Sequence, residues 1–230
     1  MPQSIAEMMQ SAGRSVSEGL SSGKKVMLVE VPLPITGGTE LDDWPGGIGQ
    51  KYMTLRPMAG EMMKIMNFSA EAISEKKFLG IVDDAVGIWK HNEVALVCFA
   101  TPEVLQSLKQ MQADGATLVL LNHQFFLDTF SSAESKEFIE SATVAYQLQS
   151  LNMKGAGLLP IKGVLKREYP APFIAARRLD QGGYVELSRY DAKPARAALD
   201  ALFARDSEER DKGLSLWDRL KRIREEASKI

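Results

Sequence analysis

The sequence predicts an α/β fold, in which a mostly parallel sheet is flanked by helices and continues into an antiparallel C-terminal extension. Two apolar runs, 93–100 and 116–121, enclose a segment with helical spacing, and this succession is typical of a βαβ unit. The last third of the chain changes to short strands. Two of these are joined by Gln181-Gly182-Gly183, which predicts a tight hairpin turn.

The first third is predicted to contain two helices around one strand. Apolar residues spaced by three and four predict a helix over 2–21, and the Val- and Leu-rich run 24–31 predicts a strand. A loop of roughly 18 residues follows, which is long for a connection between elements and therefore of functional interest. A second helix is expected over 50–66, with Pro57 indicating a kink or a late start.

The middle third is predicted to alternate between strands and helices. Thr101 before Pro102 is typical of a helix N-cap followed by proline at the first helical position. The predicted strands are 78–82, 93–100 and 116–121, and the predicted helices are 85–90, 102–112 and 131–139.

The last third is predicted to form four short strands and two helices. We expect one domain over 1–203, a charged linker over 204–213 and an amphipathic helix over 214–230. Together with the βαβ unit, this gives a Rossmann-like three-layer arrangement with an antiparallel extension. The predicted strands are 143–151, 156–166, 173–179 and 184–188, and the predicted helices are 193–203 and 214–230.

Composition limits the classes of function. The chain has 230 residues, a formal net charge of −2 and a pI near 5.8, which argue against a nucleic-acid partner. The single cysteine, Cys98, lies in an apolar run and is interpreted as a buried packing thiol of a protein from a reducing compartment. No apolar stretch is long enough to predict a transmembrane span. The first 20 residues resemble neither a secretory signal nor a transit peptide, so we expect a chain without a presequence or numbering that starts near a mature end.

The long loop contains the most unusual stretch of the chain, ELDDWPGGIGQK over 40–51. It departs in spacing from a Walker phosphate loop and from a dinucleotide fingerprint, and its two aspartates would repel a phosphate. Glycines that lead into a helix could still bind an anion through their N–H groups. Trp44 is interpreted as an apolar anchor, either in the core or in a partner. The residues of interest are Asp42, Asp43, Trp44, Pro45, Gly46, Gly47 and Gln50.

Other candidate chemistry is sparse. Asp83 and Asp84 follow a predicted strand, where they could hold Mg²⁺, share a proton or simply cap the next helix. His91 and His123 have no second ligand at metal-type spacing, and no nucleophile motif is present. We therefore expect no bound metal and no cofactor. Nothing in these residues selects a reaction, which favours a non-catalytic protein over an enzyme without excluding an enzyme. If the protein is an enzyme, Asp83, Asp84 and Asn122 are the candidate ligand-binding residues.

The predicted C-terminal helix has an apolar stripe flanked by a tryptophan and basic residues. Such a helix can dock in a partner's groove, lie on a membrane surface or pack against its own domain. The charged segment before it favours an outside partner. The candidate contact residues are Leu216, Trp217, Arg219, Leu220, Arg222 and Ile223.

Several stretches resemble a family that is defined by a domain of unknown function and found in plant, algal and cyanobacterial proteins. The family includes a low photosystem II accumulation type assembly factor of the chloroplast and a domain appended to a chloroplast adenylate kinase. Where the family favours Asn-Pro-x-Trp, this chain has Asn122 followed by His123-Gln124-Phe125, so a shared ligand site there is expected to be altered. The stretches are VMLVEVPLP (26–34), DDWPGGIGQKY (42–52), LVLLNHQFF (118–126), YQLQSL (146–151) and VLKREYPAPF (164–173).

The resemblance implies a non-catalytic binding protein in the chloroplast stroma or on the stromal face of the thylakoid membrane. Its partner would be a photosynthetic complex such as a photosystem. The protein would act on this complex as an assembly factor or form a peripheral subunit of it. Peripheral association with the membrane is a further option. The alternative is an enzyme that binds a nucleotide or a phosphometabolite through the DDWPGGIGQ loop.

Overall fold

The computed structural model describes residues 1–34, 47–68, 74–77, 87–125, 132–154, 160–179 and 181–212. The chain divides into two compact units, which we call the larger and the smaller unit. The larger unit comprises Pro2–Gln147 and Glu168–Pro170; the smaller unit comprises Leu148–Arg167, the chain from Ala171 onward and Met1. The expectation of one domain over 1–203 stays a prediction. Among the described residues, no helix is long and apolar enough to cross a membrane.

The described residues form five α-helices and nine strands. The helices are α1 (Ile5–Ser21), α2 (Gly47–Ile65), α3 (Leu105–Ala113), α4 (Ala133–Ser141) and α5 (Arg196–Asp211), and a short 3-10 turn (Pro102–Val104) precedes α3. The strands are β1 (Val26–Glu30), β2 (Ser74–Lys77), β3 (Gly87–His91), β4 (Val94–Cys98), β5 (Thr117–Leu121), β6 (Thr143–Lys154), β7 (Pro160–Glu168), β8 (Phe173–Arg178) and β9 (Tyr184–Tyr190).

The sheet of the larger unit has a parallel centre. Its strand order is β2-β3-β4-β5-β1-β6, and the pairs β4–β5, β5–β1 and β1–β6 are parallel. The pairs β2–β3 and β3–β4 are antiparallel. Every residue of β5 is buried because a parallel sheet is covered on both faces by its crossover helices. The predicted α/β fold with a mostly parallel sheet is confirmed.

The two faces of this sheet carry different helices. Val26 and Leu28 of β1 belong to an apolar cluster with Leu105 and Leu108 of α3 and Phe138 of α4. The residue between them, Met27, points to the opposite face because side chains alternate along a strand. There α1 packs so closely that a Cβ on Gly19 would overlap the Met27 sulfur. The larger unit is therefore a three-layer α/β/α structure.

The predicted helix over 85–90 is wrong in the part that the structure describes. Gly87–His91 is strand β3, which forms a hairpin with β4 through a turn at Asn92, whose φ is 52°. Ile88 and Trp89 are buried, and the Trp89 ring stacks on Tyr52 of α2 with the ring centroids 6.0 Å apart. Pairing and burial therefore override the local pattern. The predicted strand 78–82 lies outside the described residues.

The smaller unit is built on antiparallel strands, with β6 continuing into it from Leu148 in the order β6-β7-β8-β9. The predicted antiparallel extension is thus confirmed. Its helix α5 buries Leu199, Leu202 and Phe203, and a Cβ on Gly163 of β7 would overlap the Phe203 ring.

Helix α5 extends to Asp211, so it includes most of the segment that was predicted to be a charged linker. The physical reason is Asp206, whose carboxylate lies 2.9 Å from Arg177 Nε on β8 and 3.1 Å from Arg210 Nε. Ser207, the next residue, is buried. The charges of this segment thus hold part of the helix onto the sheet. The predicted helix over 214–230 lies outside the described residues.

Two glycines test the contact between α1 and α2. A Cβ on Gly13 would lie 2.8 Å from Ile65 Cβ, whereas a Cβ on Gly60 would meet no atom within 4 Å. We expect Gly13→Ala to lower the free energy of unfolding by about 1–3 kcal/mol through overpacking. Gly60→Ala should raise it by about 0.5–1 kcal/mol, because alanine favours a helix. Urea denaturation of both variants measures this difference, and equal stabilisation by both would contradict the close packing of the two helices.

Candidate functional site

The candidate site is the edge of the larger unit's sheet at which the parallel strands β4, β5 and β1 end. We define this carboxyl edge as Glu30–Val31, Phe99–Thr101 and Asn122–Phe125. In open α/β sheets, ligands bind outside the carboxyl ends of the strands. The backbone ladder continues here for one residue, since Phe99 N–H donates to Leu121 O at 3.0 Å and Asn122 N–H donates to Val29 O at 2.8 Å.

Two neighbouring strands end in a strained residue. Phe99 follows β4 with φ at 52°, and Asn122 follows β5 with φ at 50°, so both adopt the left-handed conformation that side-chain-bearing residues rarely take. Such a conformation costs on the order of 1–3 kcal/mol and persists only where the surroundings enforce it. The next turn is fixed as well, because Gln124 N–H donates to Ala100 O at 2.8 Å. The two strained residues therefore mark the carboxyl edge as a place where the surroundings enforce the backbone conformation.

The Asn122 side chain holds the chain where it leaves β1. Its Oδ1 accepts from Val31 N–H at 2.8 Å, and its Nδ2 donates to Val31 O at 2.9 Å. The carboxamide therefore forms with Val31 the two hydrogen bonds that the backbone of a neighbouring strand would form, one residue beyond the end of β1. Both hydrogen bonds are buried, where an unpaired backbone group is costly. We call this contact the Asn122 clamp.

His123 joins the ends of β5 and β1. Its Nε2 lies 3.1 Å from Glu30 Oε1, and its Nδ1 accepts from Phe125 N–H at 3.1 Å. A nitrogen that accepts a hydrogen bond carries no proton, so the imidazole proton faces the Glu30 carboxylate. Phe125 in turn packs against Phe138 of α4. The histidine thus orients the loop after β5 with both ring nitrogens engaged.

Two reactive groups lie beneath the carboxyl edge in the sheet. Cys98 is completely buried, and burial raises the pKa of its thiol well above the usual value. The interpretation of Cys98 as a packing thiol is confirmed. Tyr146 on β6 is also fully buried; burial first, and then the nearby Glu168 carboxylate, raise the pKa of its hydroxyl. Both groups therefore stay protonated at neutral pH.

The structure describes part of the predicted site. Asn122 lies at the carboxyl edge with its side chain in the clamp, and Gly47 and Gln50 lie in the first turn of α2. Three groups of predicted site residues lie outside the described residues and stay predictions: Asp42 to Gly46, the pair Asp83 and Asp84, and the C-terminal set Leu216, Trp217, Arg219, Leu220, Arg222 and Ile223.

Sequence reasoning missed the roles of Glu30, His123 and Phe99. A charged residue at the end of one strand and a histidine just after another are a usable signal once the strands are known to be parallel. Their pairing depends on β1 and β5 being neighbours, which no local pattern encodes. Within the described ranges, no group of at least three His, Cys, Asp or Glu side chains could hold a metal ion.

These features define a class of protein: an α/β protein with a parallel central sheet and a structured carboxyl edge. The sequence over residues 2–201 matches the family described as Domain of unknown function (DUF1995), and the chain belongs to this family. This confirms the family resemblance inferred from the sequence. No curated protein and no solved structure matches the chain.

The Asn122 clamp and the strain at Asn122 can be separated by two variants. Asn122→Gly removes the carboxamide but permits the left-handed backbone, so we expect a loss of about 1–3 kcal/mol from the unpaired Val31 groups. Asn122→Ala also retains the strain and should lose about 1 kcal/mol more. Urea denaturation checks both values. A neutral Asn122→Gly variant would contradict the clamp, and equal losses would contradict the strain.

Proposed function

We propose that this protein is a non-catalytic binding protein whose carboxyl edge forms a rigid base for a contact segment. The observation that carries the proposal is the Asn122 clamp, which fixes Val31 shortly before residues 35–46 of the chain. That segment contains Trp44 and the DDWPGG sequence. A contact segment gains affinity when the chain around it is ordered before binding, because less conformational freedom is then lost.

The state of the reactive groups favours binding over catalysis. His123 uses one ring nitrogen toward Glu30 and the other toward the Phe125 backbone, which commits it to shaping the loop. A general base needs a ring nitrogen directed at its substrate. The Cys98 thiol is buried and protonated, whereas a nucleophilic cysteine needs an accessible thiolate. Structural roles therefore account for both His123 and Cys98.

We propose that the partner is a photosynthetic complex in the chloroplast, reached from the stroma or from the stromal face of the thylakoid membrane. The protein would act there as an assembly factor or a peripheral subunit. Support comes from the stretches that resemble the plant, algal and cyanobacterial family, above all DDWPGGI-Q. The proposed contacts are Trp44 and the apolar and basic residues Leu216, Trp217, Arg219, Leu220, Arg222 and Ile223.

One observation favours a second function, the binding of a nucleotide or a phosphometabolite by an enzyme. Helix α2 begins at Gly47, so the backbone N–H groups of its first turn, up to Gln50, have no carbonyl one turn earlier in the helix. A helix N-terminus attracts phosphate through such groups and through the helix dipole. In this function Asp83 and Asp84 would supply the metal or proton chemistry.

The partner proposal is tested by association with thylakoid complexes. We expect the full chain to co-purify with a photosynthetic complex from solubilised thylakoid membranes. Trp44→Ala should reduce the recovery about ten-fold, as expected for an aromatic anchor worth roughly 1.4 kcal/mol or more. A chain that ends at Lys212, just after α5 ends at Asp211, should show a similar loss.

Gly60→Ala serves as the control, because a Cβ at this position meets no neighbour. It should bind as the unchanged chain does. Circular dichroism and thermal unfolding distinguish a binding defect of Trp44→Ala from a folding defect. Unchanged association of both altered chains would contradict the proposed contacts, and the absence of any association would contradict the partner.

A thermal-shift screen with nucleotides, sugar phosphates and Mg²⁺ separates the two functions. A ligand present at 100 times its dissociation constant adds about 2.7 kcal/mol to the free energy of unfolding, which raises the melting temperature. For the binding protein we expect no shift with any of these compounds. A shift that Asp83→Asn and Asp84→Asn both abolish would instead establish the enzyme hypothesis.

A further inference from the structure

The strand β9 presents an exposed edge of the smaller unit. Among the residues that the structure describes, β8 pairs with one side of β9 and no strand pairs with the other. Tyr184 and Val185 of β9 are 41% and 39% exposed, which is high for large apolar side chains. An unpaired strand edge offers backbone N–H and C=O groups to another strand. The question is which strand fits this edge.

A bulge decides which side chains share a face of β9. Ala175 and Ala176 of β8 pair with Ser188 and Glu186, so Leu187 is an extra residue on β9. Glu186 and Arg189 therefore lie on the same face although they are three residues apart. Their side chains meet, with Arg189 Nε donating to Glu186 Oε1 at 2.7 Å and Nη2 donating to Oε2 at 3.1 Å.

The opposite face of β9 carries a second set of side chains. Val185, Ser188 and Tyr190 pair with Arg177, Ala175 and Phe173, which alternate along β8 and so share one face of the sheet. The charged pair Glu186 and Arg189 thus lies on one face, together with Tyr184, and the pair Val185 and Tyr190 lies on the other. Each of the two pairs is placed almost symmetrically about the bulge.

We propose that β9 pairs with β9 of a second copy of this chain, in the antiparallel register that sets Glu186 opposite Arg189 of the partner subunit. The same register sets Val185 opposite Tyr190 of the partner subunit. Two-fold symmetry repeats both contacts, so the edge is complementary to itself in charge and in the placement of its apolar side chains. Residues opposite each other then share a face of the combined sheet, because the bulge is present in both strands.

The neighbouring registers do not fit. A shift by one residue would set Val185 opposite Arg189 of the partner subunit, although these side chains lie on opposite faces of the sheet. Charged side chains and bulges usually protect a strand edge from pairing. Here, however, the charges are of opposite sign and are spaced so that a second copy is attracted. Opposite charges and aromatic–aliphatic pairs directly across a sheet both stabilise pairing.

Charge reversal tests the proposal. E186R sets arginine opposite Arg189 of the partner subunit, and R189E sets glutamate opposite Glu186 of the partner subunit, so each variant alone should dimerise about ten-fold more weakly than the unchanged chain. An equimolar mixture of the two should recover dimerisation, since both cross-strand pairs are then attractive again. The double variant E186R/R189E should dimerise as the unchanged chain does. Sedimentation velocity over a series of micromolar concentrations measures each dissociation constant.

The control is K162E, a charge reversal at an exposed residue of β7 in the same unit. It should leave the dissociation constant unchanged, and circular dichroism should report the same fold for all variants. A chain that is monomeric at every concentration overturns the proposal. So does a dimer that the single reversals leave intact, or a loss that the mixture fails to recover. None of these outcomes depends on the proposed photosynthetic partner.

Discussion

The burial of the central parallel strands on both faces is the constraint on which the larger unit depends. Each residue of β5 is buried, and β1 beside it is buried from Val26 to Val29. A strand without a solvent-facing side needs helices above and below it, and parallel neighbours need crossover segments long enough to supply them. The same constraint aligns the ends of β4, β5 and β1, so it places the carboxyl edge as well as the core.

An edge of this kind has to satisfy backbone groups where the ladder stops. In this protein a side chain satisfies them. The Asn122 carboxamide has the same donor and acceptor groups as a peptide bond, and it accepts a hydrogen bond from Val31 N–H and donates one to Val31 O. Asn also tolerates the left-handed backbone better than most residues do. The choice of residue and the strain at this position are therefore linked, because the conformation that Asn122 adopts is the one that directs its amide at β1.

The parts of the fold that were predictable from the sequence are those in which local pattern and burial agree. The apolar runs of β4 and β5 and the start of a helical segment at Pro102 are examples, although the Thr101 side chain makes no capping hydrogen bond. The local pattern over 85–90 predicts a helix and misses strand β3. The reason is that β3 is stabilised by pairing with β4, a contact that a short stretch of sequence does not reveal. The charged residues after Phe203 suggested a linker, but the Asp206–Arg177 pair is a long-range contact. The clamp and the Glu30–His123 pair were missed for the same reason.

The overall charge of the chain bears on how either proposed interface would work. A formal net charge of −2 gives little long-range attraction toward or repulsion from a second copy or another protein complex. Association then depends on local complementarity and on apolar anchors. At β9 the complementarity lies in the Glu186–Arg189 pair, and burial of its surroundings on pairing would strengthen an interaction that water and salt weaken at the exposed edge. In an interface that excludes water, the Glu186–Arg189 pair would therefore determine the register in which the two β9 strands pair.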